Sequence, residues 1–177
     1  MGTRRCVARV PRASGGDDGL RLHTLEREQW IPGTLERVFA FFADAANLET
    51  LTPAWLGFRI LTPFPIAMRD ATRIEYRIRV AGVPLRWRTR ILRWEPPHGF
   101  VDEQQSGPFA MWEHTHRFES CGDGVRMTDV VRYALPLGPL GEIAHALAVR
   151  TALAAIFDYR FARIRTLFPA TIRERAA

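Results

Sequence analysis

Apolar and polar residues alternate at every second position over several stretches of this chain, and recur at helical spacing over others. Between Thr72 and Val80, Ile74, Tyr76, Ile78 and Val80 alternate with Arg73, Glu75, Arg77 and Arg79, which predicts a half-buried strand. Val83 to Trp94 repeats the pattern, with Leu85, Trp87, Thr89 and Ile91 on one face and Arg86, Arg88 and Arg90 on the other. A two-residue turn at Ala81-Gly82 would set Tyr76 opposite Trp87 and Glu75 opposite Arg88. Further strands are predicted over Arg21–Ile31, with imperfect alternation, and over Leu56–Leu61, Phe100–Gln105, Phe109–Glu119 and Val125–Leu135. Cys121-Gly122-Asp123-Gly124 joins the last two strands as a hairpin.

Helical spacing appears in three places. Thr34 suits the N-cap of a helix carrying Leu35, Val38, Phe39 and Phe42 on one side. Asp44 starts a second short helix that Pro53 stops. From Leu140 to Phe168 there is no proline, and Ile143, Leu147, Ala154, Phe157, Phe161, Ile164 and Phe168 fall on one stripe of a long amphipathic helix. The order is strand, two short helices, six strands and a long helix. Consecutive hairpins make an antiparallel sheet whose apolar face needs cover, and the last helix is the element long enough to give it. The expected fold class is therefore α+β, a curved antiparallel sheet of six to seven strands wrapped around a C-terminal helix. Residues 1–19 read as a mobile extension, 20–169 as a single domain, and 170–177 as a polar tail.

Composition narrows the partners. The net charge of +6 invites a nucleic-acid reading, but all 25 basic residues are arginine and they are interleaved with Glu and Asp along the strands. No nucleic-acid partner is expected. No unbroken apolar run approaches the roughly 18 residues of a membrane span, and the N-terminus has no signal-peptide pattern. Stable membrane insertion is not expected, and the expected location is cytoplasmic. Cys6 and Cys121 form no disulfide or C-x-x-C pattern. An exposed edge strand would permit pairing of two copies into a homodimer.

Gly107-Pro108-Phe109, Trp112-Glu113-His114-Thr115-His116-Arg117-Phe118, Thr128-Asp129, Pro136-Leu137-Gly138 and Phe157-Asp158-Tyr159-Arg160 carry a resemblance to a known group. With the element order, they resemble the SRPBCC or START-like superfamily, in a bacterial ligand-binding branch related to polyketide cyclase/dehydrases and coenzyme-Q-binding START proteins. The resemblance spans roughly Leu22 to Phe168 and implies the helix-grip fold. The superfamily holds both enzymes and carriers, so it implies no shared catalytic motif and no cofactor.

The candidate chemistry lies on the last hairpin. On Phe109–Glu119, Trp112, His114, His116 and Phe118 share one face, while Glu113, Thr115, Arg117 and Glu119 share the water-facing one. A turn at Gly122-Asp123 sets Phe118 opposite Met127, His116 opposite Asp129, His114 opposite Val131 and Trp112 opposite Tyr133. An inward His beside an inward Asp suits a general acid or base, with His116 and Asp129 as the catalytic candidates. The same pair would equally serve as a structural contact that fixes register or binds an internal water. A metal on His114 and His116 would need a third ligand such as Asp129, and none is expected.

Tyr76, Trp87, Phe109, Trp112, His114, Tyr133, Phe157 and Phe161 are the candidate ligand-binding residues, all projecting from inferred inner surfaces. Arg150 and Arg160 on the long helix would reach a carboxylate-bearing ligand or face solvent. Trp55, Leu56, Phe58 and Pro63-Phe64-Pro65 are placed near the mouth. Three functions follow. The first is binding of a small hydrophobic or aromatic molecule such as a lipid, quinone or polyketide-like compound. The second is an aromatase/cyclase- or dehydratase-type enzyme using His116 and Asp129. The third is an interaction or regulatory protein whose cavity is filled.

Overall fold

Seven strands pair side by side in the order β1-β7-β6-β5-β4-β3-β2, every neighbouring pair antiparallel. They are β1 His23–Pro32, β2 Arg59–Ile60, β3 Arg73–Val80, β4 Val83–Glu95, β5 Gly99–Ser106, β6 Met111–Cys121 and β7 Gly124–Ala134. The computed structural model describes residues 20–80 and 82–169. The expected N-terminal extension, the polar tail and Ala81 of the first turn lie outside the described residues. The registers inferred from turn chemistry hold. Tyr76 pairs with Trp87 and Glu75 with Arg88, while Phe118, His116, His114 and Trp112 pair with Met127, Asp129, Val131 and Tyr133.

α1 (Leu35–Ala43) and α2 (Asn47–Thr50) follow β1. Thr34 caps α1 through its side-chain oxygen, which accepts from the Arg37 N–H at 3.3 Å. The helix buries Leu35, Val38, Phe39 and Phe42. These meet Phe100 on β5, Phe118 on β6 and the C-terminal Ile164 and Phe168, so one end of the concave sheet is filled with packed core. Expected Leu56–Leu61 resolves into a 3-10 turn at Ala54–Leu56 and the two-residue β2. The prolines beyond Leu61 leave little room for a longer strand.

The final helix is continuous over Pro139–Leu167, 29 residues. It comprises α3 (Pro139–Ala144), a π-helical turn (His145–Val149) and α4 (Arg150–Leu167). The π turn corrects the predicted stripe. A π turn holds one residue more than an α turn, which rotates everything upstream of it. Ile143 and Leu147 consequently point outward, 56% and 78% exposed, and Ala144 and Ala148 take the inner positions. Downstream, Leu153, Phe157 and Ile164 are buried. By length and apolarity this helix contains a segment sufficient to cross a membrane, although the sequence shows no unbroken apolar run of that length. In the fold it lies over the concave face of the sheet.

β4 carries a second irregularity. Its alternation holds through Trp87, Thr89 and Ile91, then breaks at a bulge between Ile91 and Arg93, which turns Trp94 inward onto the α1 core. Gly99 opens β5 where the backbones come closest, and a Cβ there would collide with the His116 carbonyl oxygen. Since that neighbour is main chain, it cannot step aside. Gly99→Ala should therefore cost about 2 to 3 kcal/mol by overpacking. Differential scanning calorimetry should show a Tm lower by roughly 5–10 °C, and an unchanged Tm would contradict the tight β5–β6 approach.

Candidate functional site

A cavity of about 620 Å³ fills the space between the sheet and the final helix, beyond the part plugged by α1. Its walls are mostly apolar. Tyr76, Trp87, Trp112, His114, His116 and Phe157 line it, as the alternation of their strands and the helix spacing predicted, and Phe109 lines it from the segment just ahead of β6. Period two explains most of this. Once one residue of a strand faces the helix, every second residue does.

Two expected lining residues are not there. Tyr133 is 2% exposed but packs behind the wall with Val131, Leu153 and Phe157. Its hydroxyl is 2.9 Å from His145 Nε2, at the start of the π turn. Phe161 sits outside the cavity and is 37% exposed, because the inner position of that turn belongs to Arg160. The expected mouth is partly right. Trp55, Leu56 and Phe58 line the cavity, whereas Pro63-Phe64-Pro65 do not. The rim is completed by Val80 at the β3 tip and by Leu137 and Leu140 at the start of the helix. Trp55, Leu137 and Leu140 are 58%, 77% and 69% exposed.

A polar cluster behind and within the wall spans three adjacent strands. Asp102 on β5 stands opposite His114 on β6, and His116 on β6 stands opposite Asp129 on β7. His114 Nε2 is hydrogen-bonded to Asp129 Oδ1 at 3.0 Å. His116 Nδ1 lies 2.8 Å from the same oxygen, off the line of a hydrogen bond. His116 Nε2 reaches Asp102 Oδ2 at 3.3 Å, and His114 Nδ1 lies 4.0 Å from that oxygen. The imidazoles face each other with centroids 3.8 Å apart, and Phe100 stacks on His116 at 4.1 Å. The expected His116–Asp129 pair is thus one edge of a four-residue cluster. His114, which had no partner in the sequence pattern, shares Asp129 with it.

Asp102 was not among the sequence candidates, although the signal was present. Phe100 faces inward on β5, and period two carries Asp102 to the same face. Arg160 also lines the cavity, with its guanidinium 5.3 Å from the centre of the Phe157 ring. Its Nε and Nη1, and Nε1 of Trp87, are buried without a hydrogen-bond partner among the described residues. Arg150 is not part of the wall.

Electrostatics differentiates the four cluster residues. Burial, then the neighbouring His116, lowers the pKa of His114. Burial opposes charge on His116 too, but the adjacent Asp129 carboxylate and the hydrogen bond to Asp102 outweigh it, and its pKa is raised. Burial would raise the Asp129 carboxyl, yet the charge of His116 beside it and the hydrogen bond with His114 win and hold it well below the usual carboxylate range. The hydroxyl of Tyr76 is pushed up by burial and by Asp102, and it bonds Thr89 Oγ1 at 2.9 Å.

Residues 31–157 match the sequence profile of a family described as polyketide cyclase / dehydrase and lipid transport. The chain belongs to that family. It lies within the SRPBCC/START-like superfamily, as the motifs around His114 and His116 suggested. Solved structures share the helix-grip fold of the family. The protein TTHA0849 from Thermus thermophilus is 20% identical with a TM-score of 0.58, covering 82% of this chain and 99% of that one. Ginseng major latex-like protein 151 from Panax ginseng is 11% identical with a TM-score of 0.61, covering 85% and 99%. A protein from Arthrobacter aurescens is 14% identical with a TM-score of 0.62, covering 86% and 91%. No curated protein matches the chain by sequence. At these identities the structural likeness speaks for the fold alone.

Asp129 is the carboxylate both histidines contact, accepting from His114 and lying 2.8 Å from His116 Nδ1, and its loss strands two buried imidazoles. Asp129→Ala should destabilise the protein by about 3 to 5 kcal/mol, the range for removing one member of a buried charged set. Urea unfolding measures this, and a loss below about 1 kcal/mol, the level of one neutral hydrogen bond, would argue against the shared-carboxylate geometry.

Proposed function

We propose that this protein binds a small hydrophobic or aromatic molecule, of lipid, quinone or polyketide-like character, in the cavity beneath its C-terminal helix. The observation that carries the reading is the cavity of about 620 Å³ with aromatic, mostly apolar walls and an exposed apolar rim. Pockets of several hundred Å³ with apolar walls and a few placed polar groups are the usual form of a small-molecule site. The unpartnered donors of Trp87 and Arg160 favour a ligand that brings an oxygen acceptor to the apolar interior. A cavity of this volume argues against the filled-cavity interaction protein.

Trp87 and Trp112 touch edge to face with centroids 5.2 Å apart, so either indole reports on occupancy by fluorescence. Native mass spectrometry of purified protein, before and after extraction with organic solvent, should reveal a co-purifying apolar compound or one taken up from a panel. Trp87→Ala and Trp112→Ala should each weaken its binding about tenfold, or roughly 1.4 kcal/mol. Unchanged affinity in both variants would remove the cavity from the binding reaction.

A second reading, an aromatase/cyclase- or dehydratase-type enzyme, draws on one observation. His116 and Asp102 reach the cavity wall from a buried cluster that holds a proton close to any ligand carbonyl or hydroxyl. Under this reading His116→Ala should lower turnover by about 10² to 10⁴ while ligand affinity stays nearly intact. Equal turnover in that variant would leave binding as the sole role.

A further inference from the structure

The four-residue cluster has one side turned to the sheet and one turned to the cavity. Asp129 Oδ1 is hydrogen-bonded to His114 Nε2 at 3.0 Å and lies 2.8 Å from His116 Nδ1, so one carboxylate oxygen stands behind both rings. Their remaining nitrogens, His114 Nδ1 and His116 Nε2, face Asp102 Oδ2 at 4.0 and 3.3 Å. One donor atom from each of Asp102, His114 and His116 lies within 4.8 Å of the others. Those three residues line the cavity, and Asp129 does not.

Two carboxylates and two imidazoles in contact constrain where protons and charge can sit. A neutral imidazole carries a single N–H. If that N–H points at Asp129, the other nitrogen presents a lone pair to a second carboxylate. A proton on His116 mends one of these contacts but leaves one positive charge against two carboxylates. Protonating both rings places two cations with centroids 3.8 Å apart. Arg160 forms no ion pair with either carboxylate among the described residues. A divalent cation balances both carboxylates with both imidazoles neutral, and it takes one lone pair from each of Asp102, His114 and His116, replacing the His116–Asp102 contact.

We infer that Asp102, His114 and His116 are the ligands of a divalent transition-metal ion set in the cavity wall, with Asp129 as the outer carboxylate that holds His114 by a hydrogen bond and faces His116 by charge. The composition is right for the task. Two imidazoles and one carboxylate suit zinc or ferrous ion, and three protein ligands leave a coordination position open. A carboxylate behind a ligating histidine is the usual outer partner. An ion with bonds of about 2.1 Å in tetrahedral geometry holds its donors about 3.4 Å apart. The His116–Asp102 spacing of 3.3 Å already matches, and His114 Nδ1, 4.0 Å from the Asp102 oxygen, must move in by about 0.6 Å. The ligands sit on paired strands, two on one face of β6 and one directly across on β5, so the sheet itself sets their spacing. The open position faces the apolar cavity and would take an oxygen of a bound molecule.

His23, Glu142 and His145 also bring donor atoms within 4.8 Å of one another. There His23 Nε2 meets Glu142 Oε1 at 3.0 Å and His145 Nε2 meets the Tyr133 hydroxyl at 2.9 Å, so that cluster is internally matched and serves as the control.

The test uses the full chain stripped by a chelator and titrated with Co²⁺ and Zn²⁺, following visible cobalt absorption and metal content by mass spectrometry. Wild type should bind one equivalent with a tetrahedral or five-coordinate cobalt spectrum. Asp102→Asn and His116→Gln should weaken binding by more than tenfold and abolish that spectrum. Asp129→Asn should weaken it about 10- to 100-fold, and His145→Gln should leave it unchanged. Circular dichroism of each metal-free variant comes first, and if His116→Gln unfolds, the near-isosteric Asp102→Asn decides. Binding no tighter in wild type than in folded Asp102→Asn overturns the inference, as does binding lost in His145→Gln instead. Metal content is read without the apolar ligand, so this result and the cavity-binding experiment stand or fall separately.

Discussion

A seven-stranded antiparallel sheet presents one apolar face that must be kept from water, and among the described residues a single helix is the only long element available to cover it. The mismatch in area governs the rest of the architecture. At one end α1 adds Phe39 and Phe42 to the gap, and Phe100, Phe118, Ile164 and Phe168 close around them into packed core. At the other end nothing comparable is inserted. There the helix presents Gly141, Ala144 and Ala148, whose small side chains leave the space open. Sheet curvature and small helix residues together make the cavity.

The polar cluster is stable in this setting because the sheet supplies its geometry at no extra ordering cost. Asp102, His114, His116 and Asp129 lie on three adjacent strands, and each strand is hydrogen-bonded to the next. Buried charge is tolerated only where partners sit at hydrogen-bonding distance. Here the ladder fixes those distances before any side chain chooses a rotamer. Gly99 contributes by allowing β5 to approach the His116 carbonyl closely enough to bring Asp102 across. The π turn performs a related task on the helix. It turns small residues toward the cavity and leaves Leu140 and Leu137 at the rim. The same turn starts at His145, which is held by the Tyr133 hydroxyl from the sheet.

Local chemistry was enough to specify the strands, their partners and most of the inward faces. Alternation over β3, β4, β6 and β7 placed Tyr76, Trp87, Trp112, His114 and His116 on the inner side, since side-chain direction in a strand depends on parity alone. Turn residues at Gly82 and Gly122, with φ of +81° and +65°, fixed the hairpin registers and hence the His116–Asp129 pairing. Thr34 announced the start of α1.

What escaped the sequence depends on departures from ideal periodicity or on separation along the chain. One extra residue in the π turn rotated Ile143 and Leu147 to the surface, and no periodic template contains that insertion. The bulge in β4 reversed the parity that brings Trp94 inward. Tyr133 faced inward as its parity required but was packed against Leu153 and Phe157 with its hydroxyl drawn to His145, and Phe161 lay outside because Arg160 took the cavity-facing turn. Asp102 came to His116 through the β5–β6 pairing, a contact that follows only when the strands are laid side by side. The sequence by itself determined which residues alternate, where the chain turns and that one helix must cover one sheet, because these are local steric and solvation preferences. Only the tertiary structure decided how much space that helix leaves and which carboxylates meet the two histidines, because volume and charge proximity belong to the assembled strands.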